Sequence, residues 1–399
     1  MKKLPIGIST LSQIIEGGYV YIDKTREALE LIENYKYVFL SRPRRFGKSL
    51  FLDTLAEIFS GNKELFNGLY IRNKYDFESR PVIRMSFGGN RSVDELKAEI
   101  LANLLENKER LQVTCRDSDD YALCFRQLIQ GSYKKYQQGV VILIDEYDKA
   151  ILDNLDQLDV ALKCREILKR LYSQMKECDR YIRFVFLTGV SKFTKTSIFS
   201  GLNNLEDISL VPDFAQICGY SEKDVQQHFP LLMREVDFQK VTEWYNGYNF
   251  SGTRVFNPFD ILLFIKNNYR FRSYWFETGT PSFLVKLIRE KRYYIPNLEH
   301  LEADSSLINS FNIEDISLES VLFQSGYLTI DHVENIFNND IYHLTFPNKE
   351  VRLAFNNYLI KSLLGDTRAF AKQKSLYRIF MDADLASLED TPLASPDAR

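Results

Sequence analysis

Apolar positions fall into two regimes along this chain. Up to about residue 215, short runs dense in β-branched and aromatic residues alternate with longer amphipathic stretches. The runs Tyr37–Ser41, Pro81–Phe87, Val140–Asp145, Ile182–Thr188 and Asp207–Val211 read as strands. Helical spacing between them predicts helices over Leu50–Ser60, Val93–Glu106, Asp119–Tyr136 and Val160–Cys178. Strand and helix in alternation predict an α/β fold around a parallel sheet. Val140–Ile144 is apolar at every position, which suits a strand covered on both faces.

The flanks differ. Residues 1–36 read as an arm and a helix, with Tyr19–Thr25 extended and Arg26–Asn34 helical. Asp23-Lys24-Thr25 suits either a place near a bound base or a helix cap through Thr25, and capping is the preferred reading. At Ser221-Glu222-Lys223-Asp224 an N-cap signal opens a second regime of short helices and aromatic turns, a mostly helical region over 221–320. A helix at Leu318–Ser325, extended pieces at Tyr327–Ile330 and Ile341–Phe346, and a helix at Lys349–Leu364 make residues 321–380 compatible with a winged-helix-like unit. Residues 381–399, rich in Asp, Ala, Ser and Pro, read as a polar tail.

The chemistry is concentrated where the first strand meets the first helix of the alternation. Arg42-Pro43-Arg44-Arg45-Phe46-Gly47-Lys48-Ser49 has the strand, loop, Gly-Lys-Ser, helix layout of a phosphate-binding P-loop. In such a loop backbone N–H groups hold phosphate oxygens, Lys48 would reach the β- and γ-phosphates, and the Ser49 hydroxyl would ligate Mg²⁺. The pattern G-x-x-x-x-G-K-[ST] asks for Gly where this chain has Arg42, so only its second half is intact. Alone, Gly47-Lys48-Ser49 also reads as a basic turn with Ser49 capping a helix.

A second motif decides between these. Val140–Ile144 leads into Asp145-Glu146-Tyr147-Asp148, a Walker B pattern about a hundred residues later. Asp145 at the carboxyl end of its strand would hold Mg²⁺, and Glu146 would orient and deprotonate the attacking water. The next strand ends at Thr188. In P-loop ATPases with an additional strand this is the place of a polar sensor of the γ-phosphate, so Thr188 is the first candidate and Ser191 the second. Asn73-Lys74-Tyr75-Asp76 matches the guanine-reading N-K-x-D pattern, but it precedes the Walker B strand instead of following it. We read it as a polar turn and expect adenine as the base.

These residues, with others, resemble a bacterial AAA-ATPase-like family whose members usually also carry a C-terminal PD-(D/E)XK nuclease-like domain. The resemblance rests on Leu4–Ile8, Tyr21–Thr25, Arg42–Ser49, Leu143–Asp148, Thr188–Phe193 and Ser200–Leu205. It continues through Trp244–Tyr248, Asn257–Phe259, Phe323–Leu328 and Phe346–Asn348, spanning about residues 4–360. It implies a P-loop NTPase core of AAA-like type over residues 37–215. It implies ATP and Mg²⁺ as ligands, with Arg42 to Ser49 as the nucleotide-binding loop, since Arg at position 42 is usual in the family. The nuclease-like domain needs Asp and then Glu/Asp-x-Lys on an apolar strand, and none follows residue 360. Glu95-Leu96-Lys97 has the spacing but sits in a charged helical stretch, so nuclease activity is not expected.

Composition changes this picture little. Of 399 residues, 45% are apolar and 26% charged, with a net charge of −3, so no global electrostatic case for nucleic acid follows. Five cysteines without a C-x-x-C pair argue against zinc and disulfides and fit a reducing cytosol. No run approaches the ~20 apolar residues of a membrane span. Nor does a long apolar region follow the lysines at the start, so we expect no signal peptide and a cytoplasmic protein. The leading expectation is an Mg²⁺-dependent ATPase or molecular switch in which hydrolysis drives a conformational change. Ser191–Asn204 holds Lys192 and Lys195 but no Arg, which favours a slow switch over a ring motor. The alternative is a nucleic-acid-binding module with a regulatory or vestigial ATP site, resting on the winged-helix-like unit and the basic pieces Lys286–Tyr294 and Arg368–Arg378. Arg44 and Arg45 suit either γ-phosphate neutralisation or contact with a neighbouring subunit, so self-association or a protein partner is a further expectation.

Overall fold

A computed structural model describes residues 2–89, 92–115, 120–193, 198–199, 202, 204–276, 288, 301–304, 308, 313–314 and 316–364. Five parallel strands form the central sheet: β1 (Tyr37–Ser41), β2 (Val82–Ser86), β3 (Val140–Asp145), β4 (Ile182–Gly189) and β5 (Glu206–Asp207), in the order β2-β3-β4-β1-β5. β4 is thus inserted between the strand that feeds the Gly-Lys-Ser loop and the strand that ends at Asp145, pairing Leu40 with Thr188 and Ile144 with Leu187. Every residue of β3 is buried, as its unbroken apolar run requires.

β5 is shorter than Asp207–Val211. The Asp207 carboxylate accepts the Ser209 N–H at 2.9 Å, a local turn that ends the strand, and Pro212 then opens a 3₁₀ turn. The helices are α1 (Leu11–Glu16), α2 (Thr25–Asn34), α3 (Lys48–Phe59), α4 (Val93–Leu111), α5 (Tyr121–Tyr136), α6 (Lys149–Leu152) and α7 (Leu158–Glu177). Glu95 and Lys97 are both exposed on α4.

The outer strand β2 is protected by a polar ladder on α4. Glu99, Asn103 and Asn107 are spaced i, i+4, i+8 and therefore share a helix face. Asn107 accepts the Arg84 N–H (2.9 Å) and donates to the Arg84 carbonyl (2.6 Å). Asn103 does the same for Ser86 at 3.1 Å each way, and Glu99 accepts the Gly88 N–H at 2.7 Å. These side chains stand in for a missing strand and blunt an edge that would otherwise recruit another chain.

Beyond the sheet come α8 (Glu222–His228), α9 (Leu232–Glu235), α10 (Phe238–Tyr245) and α11 (Pro258–Lys266). Ser221 and Asp224 form a complete capping box at the start of α8. These helices close a second apolar cluster around Tyr245, Phe256 and Phe264. A three-stranded antiparallel sheet follows, with β6 (Leu301–Asp304), β7 (Thr329–Ile336) and β8 (Asn339–Thr345) in the order β6-β8-β7. With α12 (Leu318–Ser325) and α13 (Lys349–Leu364) this gives the helix, hairpin, helix order read from the sequence, but the hairpin strands are longer and a third strand joins them. Thr329–Thr345 contains no Lys or Arg. The basic pieces Lys286–Tyr294 and Arg368–Arg378 and the tail lie outside the described residues, Ile288 excepted. The chain divides into two compact units, Met1–Val351 and Arg352–Arg399, and all that follows concerns the first. Among the described residues no helix is long and apolar enough to cross a membrane.

Candidate nucleotide site

The loop between β1 and α3 is shaped by two left-handed residues, Arg45 (φ 68°) and Gly47 (φ 91°). A glycine at 47 adopts this without strain, and it is the N-cap of α3. Ser49 lies inside the helix and makes no capping bond, so the basic-turn reading falls. Among the described residues, the first backbone bond donated within α3 is Phe51 N–H to the Gly47 carbonyl at 3.0 Å, which leaves the N–H groups of Gly47 to Leu50 without a protein acceptor. Open donors at a helix N-terminus are an anion cradle.

Lys48 is buried, and its Nζ donates to the loop's own carbonyls, Arg42 O at 2.8 Å and Pro43 O at 3.0 Å. Burial lowers its pKa, and Asp145 beside it opposes that. Asp145 is buried at the end of β3, where one oxygen accepts the Glu146 N–H at 2.9 Å. Glu146 itself holds a left-handed backbone (φ 50°), a strained conformation for a residue with a Cβ. Its carboxyl is pushed up by burial and by Asp145, while Lys149, Lys48 and Arg44 pull the other way. A carboxylate moved toward neutrality is better matched to accepting a proton at physiological pH.

Arg44 to Ser49, Asp145 and Glu146 all line one cavity of about 470 Å³. That lies within the 300–1,000 Å³ typical of small-ligand sites. The model of a family described as "Predicted AAA-ATPase" matches residues 5–199, which hold both the loop and the Asp145-Glu146 pair. A relative from Azotobacter chroococcum mcd 1, an uncharacterized protein in the vnfD 5′ region, is 46% identical over 393 residues. The match covers 97% of this chain and 76% of that protein. The chain belongs to the predicted AAA-ATPase family. Among solved structures it is similar to "Structure of the Aeropyrum pernix ORC1 protein in complex with DNA", at 11% identity and a TM-score of 0.31, over 86% of this chain and 93% of that one.

Three family-motif residues point elsewhere. Arg42 is 1% exposed and turned away from the cavity: its guanidinium donates to Ser41 O (2.9 Å), Ser209 O (2.7 Å) and Phe214 O (3.1 Å) and lies 4.0 Å over the Phe250 ring. Pro43 packs on that same outer side, where a Cβ on Gly326 would meet it at 2.7 Å. Thr188 is fully buried and its hydroxyl donates to the Leu40 carbonyl at 2.9 Å, so it does not line the cavity. A hydroxyl in the β1–β4 pairing is committed to the sheet, which corrects its reading as a phosphate sensor. Ser191, the second candidate, is also buried away from the cavity.

Asp148 organises the turn after β4 instead. Fully buried, it accepts the Val190 N–H at 3.0 Å and the Ser191 N–H at 2.5 Å, and burial pushes its pKa up to about 6. Tyr147 adds a bond from its hydroxyl to the Ser191 carbonyl at 2.8 Å.

The rest of the cavity lining was not legible as a site from spacing alone. It comprises the arm around Pro5–Ser9, Val20–Ile22, Ile217–Tyr220, and Pro258, Phe259 and Leu262 of α11. The family resemblance, through Leu4–Ile8, Tyr21–Thr25 and Asn257–Phe259, pointed at parts of these stretches. Thr25 does not cap α2: the Asp23 carboxylate accepts the Thr25 N–H at 2.8 Å, and Lys24 reaches the cavity edge paired with Asp224 at 2.9 Å. Asn73–Asp76 forms a turn away from the cavity, with Lys74 lying 3.7 Å over the Tyr70 ring.

Proposed function

We propose that the cavity binds Mg²⁺-ATP and that the protein hydrolyses it as a slow conformational switch. The observation that carries this is the convergence on one cavity of the open N-terminus of α3, Lys48, Ser49, Asp145 and Glu146. The triphosphate would take the open N–H groups, and Lys48 would exchange two neutral carbonyls for phosphate oxygens, a stronger charge-assisted pairing. Ser49 and Asp145 supply a hydroxyl and a carboxylate oxygen, the hard donors that suit Mg²⁺. Bound there, the ion would neutralise phosphate charge. Glu146 would orient a water and accept its proton. The apolar lining residues Ile8, Ile22, Ile217 and Leu262 are suited to a flat base. Because Ile217–Tyr220 and α11 line the same cavity as the loop, one nucleotide would touch both the sheet and the helical region.

The test compares ATP binding and turnover. Glu146→Gln should keep ATP binding and lose about 10²–10⁴-fold in turnover, the range for a positioned general base. Lys48→Ala should lose binding. Turnover in Glu146→Gln equal to wild type, or unchanged binding in Lys48→Ala, would overturn the respective assignment.

A further inference from the structure

We propose that Arg44 is the group that reads the γ-phosphate, acting within its own chain, so that it separates ATP from ADP. This rests on the ATP reading above. Lys48 is assigned to the phosphates by that reading, and the cations around the cavity other than Arg44 already have partners. Lys24 pairs with Asp224, Lys149 with Asp153 at 3.1 Å, Lys48 holds two loop carbonyls, and the Arg45 guanidinium lies 4.9 Å over the Phe259 ring. Arg44 is exposed, lines the same cavity, and among the described residues has no side-chain partner. Glu146, which the ATP reading sets beside the attacked phosphate, lines that cavity with it.

Its backbone is fixed from outside the loop. The Trp275 indole N–H donates to the Arg44 carbonyl at 3.1 Å, and the Asn257 side-chain amide donates to the same oxygen at 3.4 Å. The guanidinium therefore swings from an anchored Cα, and its fork matches phosphate oxygens bidentately. The sequence after β4, Ser191–Asn204, supplies no Arg that could do this from a neighbouring subunit. A cis arginine removes the need for one.

The experiment measures Mg²⁺-dependent affinity for ATPγS and for ADP by calorimetry, on wild type, Arg44→Ala and Arg44→Lys. Arg44→Ala should lose roughly ten- to a hundredfold in ATPγS affinity, the worth of a charged hydrogen-bonded pair, and keep its ADP affinity. Arg44→Lys should recover part of the loss. The loss should not depend on protein concentration. Thermal unfolding should be unchanged, since the side chain is exposed. If wild type binds ATPγS and Arg44→Ala keeps the same ATPγS-to-ADP ratio, this inference fails alone. A loss seen only at concentrations where chains associate would place the arginine in trans and overturn it too. Wild type binding neither nucleotide would overturn the ATP reading and this inference together.

Discussion

Replacing Arg42 by Gly restores the P-loop consensus, and it should damage the protein. The Arg42 guanidinium is sealed behind the loop with three carbonyl acceptors at 2.7–3.1 Å and a ring at 4.0 Å. Each hydrogen bond from a charged donor contributes about 1.5–3 kcal/mol and the cation–π contact about 0.5–2 kcal/mol. Against this stands desolvation, strong enough to bring the pKa down to about 10, still charged at neutral pH. Removing the side chain strips a donor from three carbonyls, opens a void, and adds glycine's chain entropy. The net loss should be about 3–5 kcal/mol, the range for breaking a buried charged network. At about 2.1 cal/mol/K per residue over 399 residues, that is a fall of about 4–6 °C in Tm. Arg42→Lys should fall between, since one ammonium cannot span three acceptors set around a planar fork. Thermal and urea unfolding of the three proteins provide the check. An Arg42→Gly protein as stable as wild type, with nucleotide binding intact or tighter, would refute the reasoning.

The other tests probe stability elsewhere. Asn107→Ala removes both rungs to Arg84 at a 2% exposed position and should destabilise by about 1–3 kcal/mol in urea unfolding; an unchanged midpoint would sink the edge-ladder account. Glu350 and Asp260 face one another at 0% exposure, near the Tyr245, Tyr248 and Tyr274 hydroxyls, and the Glu350 carboxyl is pushed up to about 7, chiefly by burial. A raised carboxyl pKa means the folded chain holds the proton more tightly. The Glu350 contribution is therefore full below about pH 4.5 and is lost as pH rises through about 7. Glu350→Gln, which keeps an oxygen for the Trp275 N–H, should flatten that slope and be more stable at pH 8 by on the order of 1–3 kcal/mol. Equal urea midpoints for both proteins at pH 5 and pH 8 would refute it.

Strand and loop were legible because their signals are local. Val140–Ile144 suits a strand covered on both faces, and a Gly-Lys-Ser between strand and helix marks where the donors open. Asp145 and Glu146 followed from the strand's end. What the sequence could not show is which way a side chain turns. Arg42 and Thr188 stand at motif positions, yet both are drawn to backbone carbonyls of β1 and its neighbours, a choice set by Ser209, Phe214 and Leu40 from distant or paired segments. The apolar lining of the cavity was hidden for the same reason. Pro5–Ser9 and α11 are ordinary apolar stretches until the fold brings them to one cavity.

The outer side of the loop bears on why hydrolysis would serve a switch. The Phe46 ring is held edge-on by Tyr248 at 4.8 Å and Phe250 at 5.7 Å, and Tyr248 and Tyr327 pack on Trp275, whose indole grips the Arg44 carbonyl. Gly326, left-handed at φ 90°, lets α12 end directly against Pro43, where any Cβ would collide. The phosphate-binding loop is thus packed on its far side by segments from 246 to 327. Aromatic pairs contribute about 0.5–1.5 kcal/mol each, so this contact is worth a few kcal/mol. A ligand shifts a two-state equilibrium only by its differential affinity for the two states, and a hundredfold difference is about 2.7 kcal/mol. On the proposed reading, a differential affinity of that order would let gain or loss of one phosphate tighten or loosen the aromatic packing behind the loop. On that reading, a loop braced this way would convey nucleotide state to the helical region within one chain.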